Sequence, residues 1–153
     1  MLKTITLSVL STVVMLTTPA SAEMLRKPSP HPVKETIDRL ESIVKEKGLT
    51  VFARVDHAAG AKKVGLDLRP TELLIFGSPA TGTPLMQAEQ TMGLSLPLKV
   101  LVWQDADNKV WLGYDTPASV AAERGVAKDN PVLGKVSDAI AAFTDRHIDR
   151  HTG

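Results

Sequence analysis

The sequence predicts an α+β fold, a four-stranded, mostly antiparallel sheet with helices packed on one face. Three observations point there. Helix-like and strand-like segments follow one another in the order α-β-(α)-β-α-β-β-α-α. Two β-rich runs, Lys99–Trp103 and Val110–Tyr114, are joined only by the polar stretch Gln104–Lys109, too short for a crossover helix, so they pair as a hairpin. A length of 153 residues with 43% apolar and 23% charged side chains suits one domain able to bury a real core. A strictly alternating α/β sheet is the alternative, and the direct hairpin argues against it.

The first 22 residues read as a secretory signal. Lys3 supplies the positive end, Ile5–Leu16 is apolar apart from small Ser and Thr, and Ala20-Ser21-Ala22 is a small-x-small cleavage site, with the cut after Ala22. The apolar stretch falls short of the ~20 residues that span a bilayer. The expected product is a soluble periplasmic or secreted protein with no membrane attachment. The chain contains no cysteine, which removes disulfides, thiolate nucleophiles and Cys-based metal sites. Loss of the signal takes away Lys3 alone among the charges, so the 17 acidic groups are matched by as many basic ones. Nucleic-acid binding, which needs clustered Lys and Arg, is disfavoured.

Residues 23–32, with prolines at 28, 30 and 32, read as a stiff Pro-rich linker, and residues 33–150 as the single α+β domain. Val33, Ile37, Leu40 and Val44 recur at helical spacing against a charged opposite face, and Gly48 stops that helix. Leu49–Val55 alternates as a strand, with Val51, Ala53 and Val55 on one face. Asp56 then precedes a short Ala-rich helical turn, His57–Val64, closed by Gly65. Pro70 bars helix before the strand Glu72–Phe76. Gly77, Pro79 and Gly82 punctuate the loop after it, and Thr83-Pro84 opens a helix ending at Gly93. Leu94–Pro97 leads into the hairpin. Thr116-Pro117 and Asn130-Pro131 repeat the cap-then-proline device, opening helices to Arg124 and to about Ile148. In the last one, Val132, Val136, Ala139, Ile140 and Phe143 form the apolar stripe.

Seven segments in order carry a likeness: Val51-Phe52-Ala53-Arg54-Val55-Asp56-His57-Ala58-Ala59, Ala61-Lys62-Lys63-Val64-Gly65, Leu68-Arg69-Pro70-Thr71, Leu74-Ile75-Phe76-Gly77-Ser78-Pro79, Gly82-Thr83-Pro84-Leu85-Met86, Leu96-Pro97-Leu98-Lys99 and Val110-Trp111-Leu112-Gly113-Tyr114. Over roughly Val33 to Val126 the chain resembles the domain of unknown function 302 family of small bacterial and archaeal α+β domains. The resemblance implies the fold and a homodimer, and brings no reaction with it. The hairpin turn departs from the family's usual Asp-Gly, reading Asp107-Asn108, and Asn tolerates positive φ.

No complete catalytic or metal signature is present. Gly77 and Gly82 stand at phosphate-loop spacing, but Thr83-Pro84 fills the places where that motif needs Lys and then Ser or Thr, so an NTPase is excluded. A weaker anion-holding role remains for the N–H groups of Thr83, Leu85 and Met86 at a helix start, against plain turn and cap construction. Asp56-His57 at a strand end offers a titrating imidazole, against simple capping by Asp56. Ser78 lacks the flanking pattern of a nucleophile elbow. His147 and His151 stand four apart on the last helix, a metal-sharing spacing, at a terminal turn where the dipole already favours them. Met86 and Met92, six apart and about 120° out of line on a helix, suit core packing better than copper.

The leading expectation is a non-catalytic module that binds a small ligand or partner at a surface formed by Asp56, His57, Gly77, Gly82 and Thr83, without a cofactor. A hydrolase or isomerase using His57 as acid or base, and metal handling through His147 and His151, are the alternatives.

Overall fold

The computed structural model describes residues 23–149, with side chains described to residue 146. The signal sequence with its cut after Ala22, and His151, lie outside the described residues, as does the side chain of His147. The elements are β1 (Met24–Ser29), α1 (Val33–Glu46), β2 (Thr50–Asp56), α2 (His57–Lys63), β3 (Thr71–Gly77), α3 (Pro79–Ala88), a 3-10 turn (Gln90–Leu94), β4 (Leu98–Gln104), β5 (Val110–Asp115), α4 (Pro117–Glu123) and α5 (Pro131–Asp149). One sheet, in the order β1-β5-β4-β3-β2, is antiparallel throughout.

The sheet therefore has five strands, where four were expected, and the fifth is Met24–Ser29, inside the stretch read as a linker. Its inward positions explain why the pattern hid it. Leu25 packs on the core, but Lys27 reaches Thr144 Oγ1 at 2.9 Å on α5 and the hydroxyl of Ser29 meets that of Thr36 at 2.7 Å on α1. Two of three inward side chains are polar, so no apolar alternation marks the strand. Pro28 is accommodated because β1 is an edge strand, with β5 as its single neighbour.

α1 and α5 cover one face of the sheet. The stripe Val33, Ile37, Leu40 and Val44 is at most 3% exposed and packs on Leu74, Phe76, Val100, Val102 and Leu112 from alternate positions of β3, β4 and β5. Gly48 takes φ +72, the left-handed position that ends α1. A second cluster, Leu85, Met92, Ala121, Leu133 and Val136, joins α3, the 3-10 turn and α4 to the start of α5. α2 buries no residue.

Three local expectations change. A register shift between Val51 and Ala53 puts Val51 opposite Phe76 on the helix side, Ala53 and Val55 opposite Ile75 and Leu73 on the other, and turns Arg54 toward α1. α3 begins five residues before Pro84, because Ser78-Pro79 already supplies a cap and a first helical proline; Ser78 Oγ accepts from the Ala80 N–H at 3.2 Å. It ends at Ala88, and the stretch to Leu94 is a 3-10 turn. The hairpin turn stands, with Asn108 at φ +59.

The sheet face away from α1 and α5 carries much apolar surface too, with Arg26 5.2 Å over the Trp111 ring and Lys99 opposite Ile75. Leu73, Ile75, Leu101, Trp103 and Trp111 lie half-buried on it, with Val55 and Met24 exposed, and none belongs to either core cluster. Trp103 pairs with Trp111 across β4 and β5, so both tryptophans of the chain are here. Trp103 also presses on Gly113, where an added Cβ would lie 2.9 Å from its ring.

Candidate functional site

Two concave regions lie at opposite ends of β3 and β4. At the β3 exit, the step from strand to α3 leaves a pocket of about 220 Å3 between β3, α3 and the segment 93–98. Phe52, Pro79, Met86, Leu96, Pro97 and Leu98 supply most of its wall, while Ser78, Thr81 and Thr83 add hydroxyl groups. Leu85 below it is 1% exposed and Phe52 is 54% exposed, so the pocket runs from core to solvent. Gly82 faces inward, since a Cβ there would lie 3.7 Å from Leu96 Cδ1 and 3.9 Å from Met86 Cε, both ordinary contacts. Gly82→Ala is therefore expected to raise stability by about 0.5–1 kcal/mol in urea unfolding, because a mid-helix glycine gains propensity without a clash.

This pocket brings together Gly77, Gly82 and Thr83, three of the five residues expected at one surface. Asp56 and His57 are elsewhere. Antiparallel pairing sets Gly77 opposite Thr50 but Asp56 opposite Glu72, so the two groups are separated by the length of β2, about 20 Å at 3.3 Å per residue. Asp56 Oδ1 accepts from the Ala59 N–H at 2.8 Å as the cap of α2, and His57 is exposed on that helix. The expected convergence fails because β2 and β3 run in opposite directions, so one strand's end lies beside the other's start. The N–H groups of Thr83, Leu85 and Met86 lie inside α3 and not in its first turn, so they offer no helix-start cradle for an anion.

At the other end, the tips of β1, β3, β4 and β5 and the start of α1 enclose a polar cleft of about 790 Å3. His31 and Glu72, 7% and 9% exposed, both line it. His31 Nδ1 lies 3.2 Å from Glu35 Oε1. Glu72 Oε2 accepts from Arg54 Nε at 2.7 Å, and Arg54 also holds Asp38 and Glu41 of α1. Burial works against the Arg54 charge, yet hydrogen bonds to Glu72 and Asp38 raise its pKa above the ordinary value. Hydrogen bonds from Lys34 first and then Arg54 hold Asp38 below its usual range; Lys45 and, more weakly, Arg54 do so for Glu41. Sequence reasoning missed this cleft because His31 fell in the supposed linker and Glu72 was read only as a strand residue.

Among the described residues, no group of three or more His, Asp or Glu side chains is placed to hold a metal, and no helix is long and apolar enough to cross a membrane.

The model of the family Domain of unknown function DUF302 matches residues 25–146. The chain is 49% identical over 107 residues to Fluoride-specific ion channel FluC 1 of Brucella suis biovar 1, a match covering 70% of this chain and 42% of that protein. The same identity and length hold for FluC 1 of Brucella abortus biovar 1, with 40% of that protein covered. The chain thus spans about two-fifths of the length of these curated relatives. Among solved structures, it superposes on the crystal structure of an uncharacterized conserved protein DUF302 from Bacillus stearothermophilus with a TM-score of 0.67 at 22% identity, covering 84% of this chain and 98% of that one. That likeness concerns the fold, whereas the match over 25–146 takes in β1 and most of α5 as well as the sheet between them. The chain belongs to the DUF302 family.

Proposed function

We propose that this protein is an exported, non-catalytic ligand-binding domain that takes a small apolar molecule in the pocket at the β3 exit and works as a homodimer. The pocket carries the reading: its wall is aliphatic, aromatic and thioether surface, with three hydroxyl-bearing residues and no charged group. Acid–base catalysis by His57 has less support, because His57 is exposed and lines neither concavity. The test is an NMR titration with 1-octanol, read at the Met86 methyl group. Saturable shifts are expected in the parent chain and none in Gly82→Leu, whose side chain fills the space. Shifts that persist unchanged in Gly82→Leu, or no shift in the parent chain, refute the pocket.

The homodimer rests on the outer sheet face. Five strands about 4.8 Å apart and some seven residues long, at about 3.3 Å each, make a face of roughly 550 Å2. Two copies meeting there bury roughly 1,100 Å2, just above the ~1,000 Å2 of a specific interface. Tryptophan is the residue type that most often anchors such contacts. Trp103→Lys is expected to turn a dimer into a monomer in sedimentation equilibrium, with unchanged far-UV circular dichroism. A parent chain that stays monomeric at all concentrations refutes this part and leaves the pocket untouched.

The fluoride channels that contain a like stretch support a second reading, a domain that works beside a membrane channel. Fluoride conduction is not assigned to the described residues, none of whose helices is long and apolar enough to cross a membrane. A rise in the thermal midpoint with sodium fluoride but not sodium chloride would favour that reading.

A further inference from the structure

We infer that the polar cleft at the far end of the sheet is a second binding site, for a small hydroxylated carboxylic acid of the sugar-acid type. It is distinct from the pocket at the β3 exit and does not rest on it. Three features set the chemistry. Glu72 is buried with one oxygen engaged by Arg54 at 2.7 Å, while among the described residues its other oxygen accepts no hydrogen bond. The first oxygen is held by the Arg54 guanidinium, so the second is left to accept a hydrogen bond from a hydroxyl donor. Lys109 lines the same cleft and is exposed; its charge acts on Asp105 nearby but is held in no ion pair among the described residues, so a carboxylate on the ligand can share it.

Between these poles the lining is mixed. Gln104 donates to Asn108 Oδ1 at 3.2 Å, a pairing that leaves the Gln104 oxygen and the Asn108 amide hydrogens for a polyol. Pro28, Pro30, Pro32 and Pro70 are among the residues that line the same cleft, so apolar surface stands beside its polar groups. A volume of about 790 Å3 has ample room for a single sugar ring. The cleft therefore offers an acceptor in Glu72 and a cation in Lys109, with proline carbons in its lining.

D-glucuronate, D-glucose and acetate separate the contributions when each is titrated against the intact chain and followed by backbone amide shifts. Saturable shifts at Glu72, Gln104 and Lys109 are expected with D-glucuronate, and at least about tenfold weaker binding with either D-glucose or acetate, each of which lacks one pole. Lys109→Ala, at an exposed position, is expected to weaken D-glucuronate about tenfold, and Lys109→Glu to abolish it. Glu72→Gln tests the other pole; if it fails to fold, the Lys109 variants still decide. Equal binding of acetate and D-glucuronate, retention of D-glucuronate by Lys109→Glu, or no shift with any of the three overturns the site. The Met86 methyl group, at the opposite end, is expected not to respond to D-glucuronate.

Discussion

Phe76→Ala is expected to lower the unfolding free energy by about 3–5 kcal/mol, enough to leave a domain of this size largely unfolded at moderate temperature. Phe76 is 0% exposed and sits where β3 passes under both α1 and α5. Its ring meets that of Phe143 edge to face, with centroids 6.5 Å apart, so truncation loses an aromatic pair as well as buried area. The residue is hemmed by Leu40, Leu74 and Val100, which are also fully buried, and such surroundings relax little into the space left behind. Urea denaturation read by circular dichroism is the measurement. A loss under about 1 kcal/mol would mean that the layer between sheet and helices collapses around the void.

Arg54→Met is expected to cost about 3 kcal/mol at neutral pH. The arginine side chain is 26% exposed, Glu72 beneath it is 12% exposed, and removing the guanidinium leaves that carboxylate without its counter-charge. Arg54→Met combined with Glu72→Gln should recover most of the loss, because the uncompensated charge is gone. A double-mutant cycle in urea measures the recovery. The same network gives the protein an acid limit. Asp38 and Glu41 have pKa values held below the ordinary 3.8 and 4.5, so they contribute stability above those values, and it drains away as the pH falls through their lower folded-state values. In Arg54→Met the part of that drain due to the guanidinium is absent, so the gap between variant and parent should narrow as the pH falls through the folded-state values of Asp38 and Glu41.

The helices were more legible in the sequence than the sheet. α1 and α5 declare themselves through a 3.6-residue apolar rhythm, and every residue of the α1 stripe proves buried. The hairpin of β4 and β5 was equally plain from its polar connector. β1 was not, because it faces the core with Lys27 and Ser29, whose partners come from α5 and α1, more than a hundred residues and seven residues away. Phe52 sits at the register shift in β2, so simple alternation put Val51 on one face with Ala53 and Val55, which the shift separates. For the site, the sequence grouped Gly77, Gly82 and Thr83, which line one pocket because they are neighbours along the chain, although the cap is Ser78 and not Thr83. It joined Asp56 and His57 to them wrongly, since strand direction is a property of pairing. His31 and Glu72 become neighbours of one cleft only when β1 closes the sheet, and no local spacing encodes that closure.

The pairing of β1 with β5 also fixes when the molecule can be finished. β1 has its partner in β5, Val110–Asp115, on the far side of every other strand in the chain order, so Leu25 stays unpaired until the segments between them have folded. Ring closure over so long a contour is entropically slow compared with forming the β4–β5 turn. Until that pairing forms, the segment around Leu25 is loose and the outer edge of β5 is open to other strands, which makes docking of the fifth strand the step that closes the sheet against strangers.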